Sequence, residues 1–140
     1  MSKDEAICFL REHQPMPDDG SLTQELIDKY DEARVFFIEN PDEEALPLFL
    51  NSYGLGDGWG VYQLVEDFFY KLDRDNVILE IKKTLEDTSI KESVRYWVTQ
   101  VSAAFSDVKL KKGLEISLSS ENEDIREAAQ LSLDIIDGEY

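Results

Sequence analysis

The sequence has 140 residues, enough for one domain with its own core and too few to expect two. Hydrophobic residues make up 42% and aromatic residues 11% of the chain, so it folds rather than forming a disordered acidic tail. The 14 Lys and Arg and the 31 Asp and Glu give a formal net charge of −17. This charge argues against nucleic acid and anionic membrane as partners, because both need a basic surface. A basic protein partner would be attracted, although acidity that only keeps the protein soluble is an open alternative.

The first residues and the single cysteine bear on the compartment. Cys8 is the only cysteine, so no intramolecular disulfide can form, and a reducing cytoplasm suits the chain. Residues 1–14 hold three carboxylates and no apolar run of signal-peptide length, and no stretch approaches the length of a membrane span. We therefore expect a cytoplasmic protein that is monomeric when free.

Apolar residues recur at helical spacing in eight segments, and no convincing alternating strand pattern is present. The sequence therefore predicts an all-α fold. Pro15 and Pro17 end the first helix, and Pro47 must lie in the first turn of the third or kink it. The predicted helices cover residues 3–13, 21–40, 42–53, 59–72, 76–85, 93–105, 108–118 and 124–136.

Three predicted helix starts carry the capping-box pattern, in which a serine is followed three residues later by Glu or Gln. We expect each serine hydroxyl to cap its helix. The pairs are Ser21 with Gln24, Ser89 with Glu92, and Ser120 with Glu123.

The second half of the chain repeats one apolar pattern at similar spacing. The step from Val61 to Val94 is 33 residues and the step from Val94 to Ile125 is 31 residues. A helix pair of this size cannot bury both faces alone, so neighbouring pairs are expected to stack. The matching sets are Val61, Val65, Phe69, Leu72; Val94, Val98, Ser102, Phe105; and Ile125, Ala129, Leu133, Ile136, with Val77, Ile81, Leu85 matching Leu110, Leu114, Leu118 on the partner helices.

Residues 124–129, Asp-Ile-Arg-Glu-Ala-Ala, continued by Leu133 and Ile136, resemble the HEAT repeat. The resemblance implies a right-handed α-α superhelix of antiparallel HEAT-like pairs over residues 59–137, after irregular helices in 1–58, within a single domain of residues 1–140. It also implies that Arg95 and Arg126 support contacts between neighbouring units. The irregular core positions Ser102 and Gly113 depart from the pattern.

A narrower resemblance rests on residues 58–67, Gly-Trp-Gly-Val-Tyr-Gln-Leu-Val-Glu-Asp, followed by Val94-Arg95-Tyr96-Trp97. These strings are similar to small HEAT-like immunity proteins of bacterial polymorphic toxin systems. The resemblance implies a protein that binds and neutralises a toxin domain.

Catalysis, a metal and a cofactor are not expected. His13 is the only histidine, and Cys8 lies five positions before it, on a different helix face. We expect Cys8 to be a small buried core residue. Residues 54–60 are rich in glycine but lack the Lys-Ser or Lys-Thr of a phosphate loop, so we expect a flexible turn, with Gly54 as a helix C-cap and Asp57 capping the next helix.

The polar side of the repeats is the best candidate for a binding surface. With Val61, Val65 and Phe69 inward, two outward rows hold tyrosines among carboxylates, and the next repeat adds Arg95, Tyr96, Thr99 and Gln100. An ordinary amphipathic exterior is the alternative. The expected partner-binding residues are Trp59, Tyr62, Gln63, Glu66, Asp67, Tyr70, Tyr96 and Gln100.

The sequence thus favours an immunity protein that occludes a cognate toxin, with a nuclease as the best-fitting kind because its substrate groove is basic. A general helical-repeat adaptor between two proteins is the alternative. An enzyme on a HEAT-like scaffold, such as a DNA glycosylase or a pigment lyase, is the third hypothesis. The charge of −17 argues against a glycosylase, because that enzyme needs a basic groove for DNA.

Overall fold

The computed structural model describes residues 1–138, and within them the chain forms α-helices and short 3-10 turns with no β-strand. The all-α prediction is therefore confirmed. No helix in this part of the chain combines the length and the apolarity that crossing a membrane requires. The α-helices are α1 (Lys3–Arg11), α2 (Gln24–Glu39), α3 (Ala45–Leu50), α4 (Glu66–Phe69), α5 (Arg74–Glu86), α6 (Glu92–Ser102), α7 (Lys111–Leu118) and α8 (Glu123–Asp137).

The chain divides into two compact units, Met1–Asp73 and Arg74–Tyr140. We call them the N-terminal unit and the C-terminal unit. The sequence placed the change from irregular helices to repeats at residue 58, whereas the compact units divide at Asp73.

The N-terminal unit is built on an aromatic core. Phe37, Phe49 and Phe68 form a triangle with ring centroids 5.1 to 6.1 Å apart. Tyr30 packs on Phe49, and its hydroxyl lies 2.6 Å from Ser52 Oγ, which donates to the Phe49 carbonyl. A buried tyrosine needs a partner for its hydroxyl, and here a short polar chain provides one.

In the C-terminal unit, equivalent helices lie side by side. The connections between successive helices are short, so α5 and α6 form one antiparallel pair and α7 and α8 a second. Helix α5 packs on α7, and α6 packs on α8. This is the arrangement that stacking of two helix pairs requires. Five of the six matched apolar positions of α5 and α7, among them Ile81 and Leu114, are fully buried, whereas Leu118 is only half-buried.

Arg95 is a structural residue of this unit. It is buried, and its guanidinium donates to Ser117 Oγ at 2.9 Å, to the Leu85 carbonyl at 2.9 Å and to the Asp87 carbonyl at 3.0 Å. Thr99, also buried, lies 2.9 Å from the same Ser117 oxygen. The expectation that Arg95 and Thr99 line the outer surface is therefore wrong, whereas the structural role that the HEAT resemblance implied for Arg95 fits these contacts.

The continuous helix predicted over residues 59–72 is wrong. The segment consists of the 3-10 turns Gly58–Gly60 and Tyr62–Val65, followed by the single turn of α4. A 3-10 helix has three residues per turn, so side chains three apart lie above one another. Tyr62 and Val65, which are three apart in the second 3-10 turn, are accordingly both buried, while Leu64, expected on the apolar face, is 41% exposed.

The predicted serine caps are also wrong. The caps of α2 and α8 lie two residues after the predicted serines, where Thr23 accepts a hydrogen bond from Leu26 N and Asn122 accepts one from Ile125 N. Lys91 precedes α6 and makes no side-chain cap. Asparagine and threonine are also favoured as helix caps, so the residue types alone do not identify the cap among neighbouring candidates.

Two smaller expectations fail in the N-terminal unit. Cys8 is exposed, because the buried face of α1 is formed by Ala6, Ile7, Phe9 and Leu10. Gly54 is not a helix cap, since α3 ends at Leu50. A Cβ at Gly54 would instead lie 2.4 Å from the Met16 carbonyl oxygen, so only glycine allows these two backbone segments to approach so closely.

Candidate protein-interaction site

Residues 55–70 of the N-terminal unit carry several large apolar side chains that face solvent. Trp59 is 48% exposed, and Leu55, Leu64 and Tyr70 are exposed to a similar or greater degree. Exposed apolar side chains that recur within one short segment are a common feature of protein interfaces. This segment is therefore the candidate interaction site.

Trp59 has an unusual backbone. Its φ of 53° and ψ of 35° place it in the left-handed region, and within residues 1–138 it is the only non-glycine residue with positive φ. Gly58 and Gly60 on either side also have positive φ, 59° and 92°. The left-handed conformation costs an L-residue about 1 to 2 kcal/mol, so it persists only where the surrounding structure enforces it.

Asp19 is the residue that holds this loop, which we call the Trp59 loop (residues 54–60). Its carboxylate accepts hydrogen bonds from Asp57 N and Gly58 N, both at 3.0 Å, and its own N–H donates to the Leu55 carbonyl at 2.9 Å. The glycine content predicted a flexible turn. The loop is instead tied at three points to a segment 36 to 39 residues earlier in the chain.

Tyr62 forms the floor of the Trp59 loop. It is 1% exposed, its hydroxyl accepts a hydrogen bond from Gly54 N at 3.1 Å, and a Cβ at Gly58 would lie 2.6 Å from its ring. Burial raises the pKa of Tyr62 to about 12, and the charge of Asp19 adds to this effect. Tyr62 is therefore a neutral structural residue, and its prediction as a partner contact is wrong.

Carboxylates lie close to the loop. Asp18 and Asp57 are exposed, and both are near enough to Tyr62 to raise its pKa further. Asp67 is exposed and Glu66 is half-buried. Burial raises the pKa of Glu66, and a hydrogen bond with the Tyr70 side chain opposes that shift.

An exposed indole beside several carboxylates suits a cationic side chain. The tryptophan ring attracts a Lys or Arg head group by a cation–π interaction, and nearby carboxylates can pair with the same charge.

The eight predicted contact residues divide between the two units. Trp59, Gln63, Glu66, Asp67 and Tyr70 lie in one segment of the N-terminal unit, and all five have exposed or half-exposed side chains.

Tyr96 and Gln100 lie on α6 in the C-terminal unit, where Gln100 Nε2 donates to the Tyr96 hydroxyl at 2.8 Å. Both side chains reach solvent, Tyr96 only partly. They form a separate small polar pair, one turn apart on the same helix.

Asp19 and Leu55 were not predicted as parts of the site. Asp19 reaches loop residues 38 and 39 positions away, and no periodicity or motif connects positions so distant. Leu55 lies between two glycines and outside any predicted helix, so helical spacing gave no indication of which way it faces.

His13 and Cys8 have local partners. His13 Nδ1 lies 2.7 Å from the Phe9 carbonyl oxygen, and its ring packs on Phe9 at a centroid distance of 4.3 Å. The hydrogen bond with Glu12, and then the charge of that residue, raise the pKa of Cys8, which favours the thiol over the reactive thiolate. Within residues 1–138 no three potential ligand side chains group to hold a metal.

No family model, curated protein or solved structure matches this chain. The resemblance to HEAT-like repeats and to immunity proteins therefore stays a prediction from the sequence.

Proposed function

We propose that the protein works by binding a basic protein partner, with the indole of Trp59 as the anchor of the interface. The observation that carries the proposal is the left-handed, exposed Trp59 held between two glycines and tied down through Asp19. An exposed tryptophan on a strained backbone does not stabilise the fold, so its placement points to a role in binding. Tryptophan is the residue type most enriched among the side chains that dominate binding energy.

The rigidity of the Trp59 loop supports the same proposal. A flexible loop must be ordered when a partner binds, and each immobilised side chain then costs about 0.5 to 1.5 kcal/mol. Hydrogen bonds donated by the backbone of Asp57 and Gly58 to the Asp19 carboxylate hold the loop before any partner binds. A tryptophan displayed in this way loses little entropy in the complex.

The net charge of −17 indicates the kind of partner. Long-range attraction speeds association with a positively charged surface and disfavours nucleic acid and anionic lipid. We infer an immunity function, in which the chain covers the active groove of a cognate bacterial toxin in the cytoplasm. A nuclease toxin fits best, because a groove that binds nucleic acid is itself basic. The mechanism is blockade and requires no catalytic group on this chain.

An adaptor that holds two proteins together is the second candidate. It is favoured by the division into two compact units, each of which carries predicted contact residues of its own. An adaptor would bind a different partner through each unit, whereas an immunity protein needs one partner only.

Co-expression with the product of the neighbouring gene tests the immunity function. If that product stops growth and this chain restores it, the immunity function is supported. The Trp59→Ala variant should lose the rescue, whereas Leu131→Ala, which removes a side chain of matched exposure (49% against 48%) in the C-terminal unit, should keep it. A lethal neighbour that this chain neither binds nor neutralises would contradict the proposal.

Association kinetics test the charge. The double substitution Glu66→Lys and Asp67→Lys should slow association strongly at low salt, and the difference should shrink as salt screens the charges. The matched control is Glu121→Lys with Glu127→Lys, two exposed residues of the C-terminal unit that give the same change in net charge. Equal slowing by both pairs would remove this segment from the interface.

A further inference from the structure

A second surface of the N-terminal unit lies between α1 and α2. Two adjoining hollows, each with a volume of about 480 Å³, share Met1 and Glu32 in their linings. We call them together the α1–α2 groove. The groove does not include the Trp59 loop, and none of the residues predicted to bind a partner lines it.

The lining of the groove includes apolar side chains among its carboxylates. Met1 and Val35 are each 39% exposed, and Phe36 and Phe9 also line the hollows. On α2 the lining residues recur at helical spacing, so the hollow follows the helix axis. Met1, Val35 and Phe36 thus form a short apolar strip between carboxylates.

The rim of the groove is acidic on both sides. Helix α1 supplies Asp4, Glu5 and Glu12, and helix α2 supplies Asp28, Asp31, Glu32 and Glu39. Lys29 has the only basic side chain in the lining, and the α-amino group of Met1 adds a second positive charge.

The basic residues of α1 lie elsewhere. Lys3 and Arg11 pair with Asp42 and Glu44, at distances from 2.9 to 3.6 Å, and so do not neutralise the rim. Arg34 pairs with Asp31 at 2.7 Å. The remaining rim carboxylates keep an excess of negative charge over the apolar strip.

We propose that the α1–α2 groove binds an amphipathic basic helix of a partner protein, with the apolar face of that helix on the strip and its Lys and Arg between the two acidic rims. Charge complementarity selects this occupant. A second copy of this chain or an anionic membrane would bring further negative charge against the rim. The lining of α2 from Asp28 to Glu39 extends about 17 Å at 1.5 Å per residue, which matches about three turns of a docked helix.

This inference goes beyond the proposed function and does not depend on it. A partner that docks on Trp59 has no need of the groove, and a basic helix in the groove does not require a toxin. The two can therefore fail separately.

The experiment uses the full chain and a fluorescent peptide of Lys and Leu, about 14 residues or roughly four helical turns long, with leucine at helical spacing. A second peptide of the same composition, with Lys and Leu strictly alternating, carries the same charge but cannot form an apolar helix face. Fluorescence anisotropy at low salt measures both affinities. The helical-period peptide should bind at least about tenfold more tightly, because only it can place leucine on the strip.

Variants locate the site. Asp28→Lys with Glu32→Lys should weaken the helical-period peptide about tenfold or more, and Val35→Ser should weaken it severalfold with no change of charge. The control pair Glu121→Lys with Glu127→Lys should have a much smaller effect, and Trp59→Ala should have none. Circular dichroism of each variant checks that the fold is intact, and the exposure of Val35 makes the serine variant the one safest for folding.

Amide chemical shifts of the ¹⁵N-labelled protein complete the test. Addition of the helical-period peptide should shift signals from residues 1–12 and 28–39. Equal affinity for the two peptides, equal weakening by the two charge-reversed pairs, or shifts confined to other residues would each overturn the proposal.

Discussion

Replacing Gly113 with alanine places two physical effects in opposition. Gly113 lies inside α7, where alanine is better than glycine by about 1 kcal/mol in an exposed helix interior. From the sequence alone, Gly113→Ala should therefore stabilise the protein. The structure predicts the opposite sign.

The reason is the close approach of α7 to α5. A Cβ at position 113 would lie 2.5 Å from the Cβ of Leu85, far inside van der Waals contact, and Leu85 is fully buried. A Cβ cannot move away by rotating its own side chain, so one helix has to shift. Overpacking of this kind costs about 1 to 3 kcal/mol. After the gain in helix propensity is subtracted, we expect a net loss of up to about 2 kcal/mol in the free energy of unfolding.

Urea denaturation followed by circular dichroism measures this change in the free energy of unfolding. The control is Gly20→Ala, because a Cβ at Gly20 meets no atom within 4 Å, and that substitution should be neutral or slightly stabilising. A Gly113→Ala variant more stable than the parent protein would refute the close stacking of α5 and α7.

Three further predictions concern single residues. Arg95→Ala should lower the free energy of unfolding by about 3 kcal/mol, because it removes three hydrogen bonds made by a buried cation. The control Arg126→Ala loses one bond to a backbone carbonyl and should cost about 1 kcal/mol or less. Equal costs in urea denaturation would contradict the structural role of Arg95. Trp59→Gly should be more stable than Trp59→Ala by about 0.5 to 1 kcal/mol, since only glycine adopts positive φ without strain. If the alanine variant were the more stable of the two, the left-handed conformation would be absent. The pKa of Glu66 is raised in the folded state, so its ionisation opposes folding above that pKa. Glu66→Gln should therefore stabilise the protein at pH 7, and this gain in stability should disappear as the pH falls below the ordinary pKa of glutamate. A gain that does not depend on pH would contradict this prediction.

The helices and the buried positions of the C-terminal unit could be predicted from the sequence, because apolar residues at helical spacing mark the buried face of a helix. Val77, Ile81 and Leu85 on α5 and Leu110 and Leu114 at α7 were matched by their repeat, and all five are fully buried. Local periodicity is sufficient there, since each helix presents one face to its equivalent in the next pair.

The candidate site was harder to predict, because its geometry depends on contacts between distant residues. Two glycines and a left-handed tryptophan change residues 58–65 from α-helical to 3-10 geometry, which turns Tyr62 inward and Leu64 outward. Spacing rules that assume 3.6 residues per turn cannot anticipate this change. The hydrogen bonds that the Asp19 carboxylate accepts from the loop likewise cannot be predicted from the local sequence.

The predicted surface needed a second correction. Arg95 and Thr99 are polar, and for this reason the sequence placed them outside with Tyr96. Both instead satisfy one buried polar cluster around Ser117. Polarity predicts exposure only when no buried partner is present, and such partners become visible only in three dimensions.

The affinity of the proposed basic partner for three forms of the protein tests the central claim most directly. Isothermal titration calorimetry would compare the parent chain, Trp59→Ala and the exposure-matched Leu131→Ala. We predict that the Trp59 substitution weakens binding by at least about 2 kcal/mol, roughly thirtyfold, while the Leu131 substitution leaves the affinity within about twofold. Unchanged affinity of a folded Trp59→Ala variant would contradict the claim that this protein acts through the displayed tryptophan.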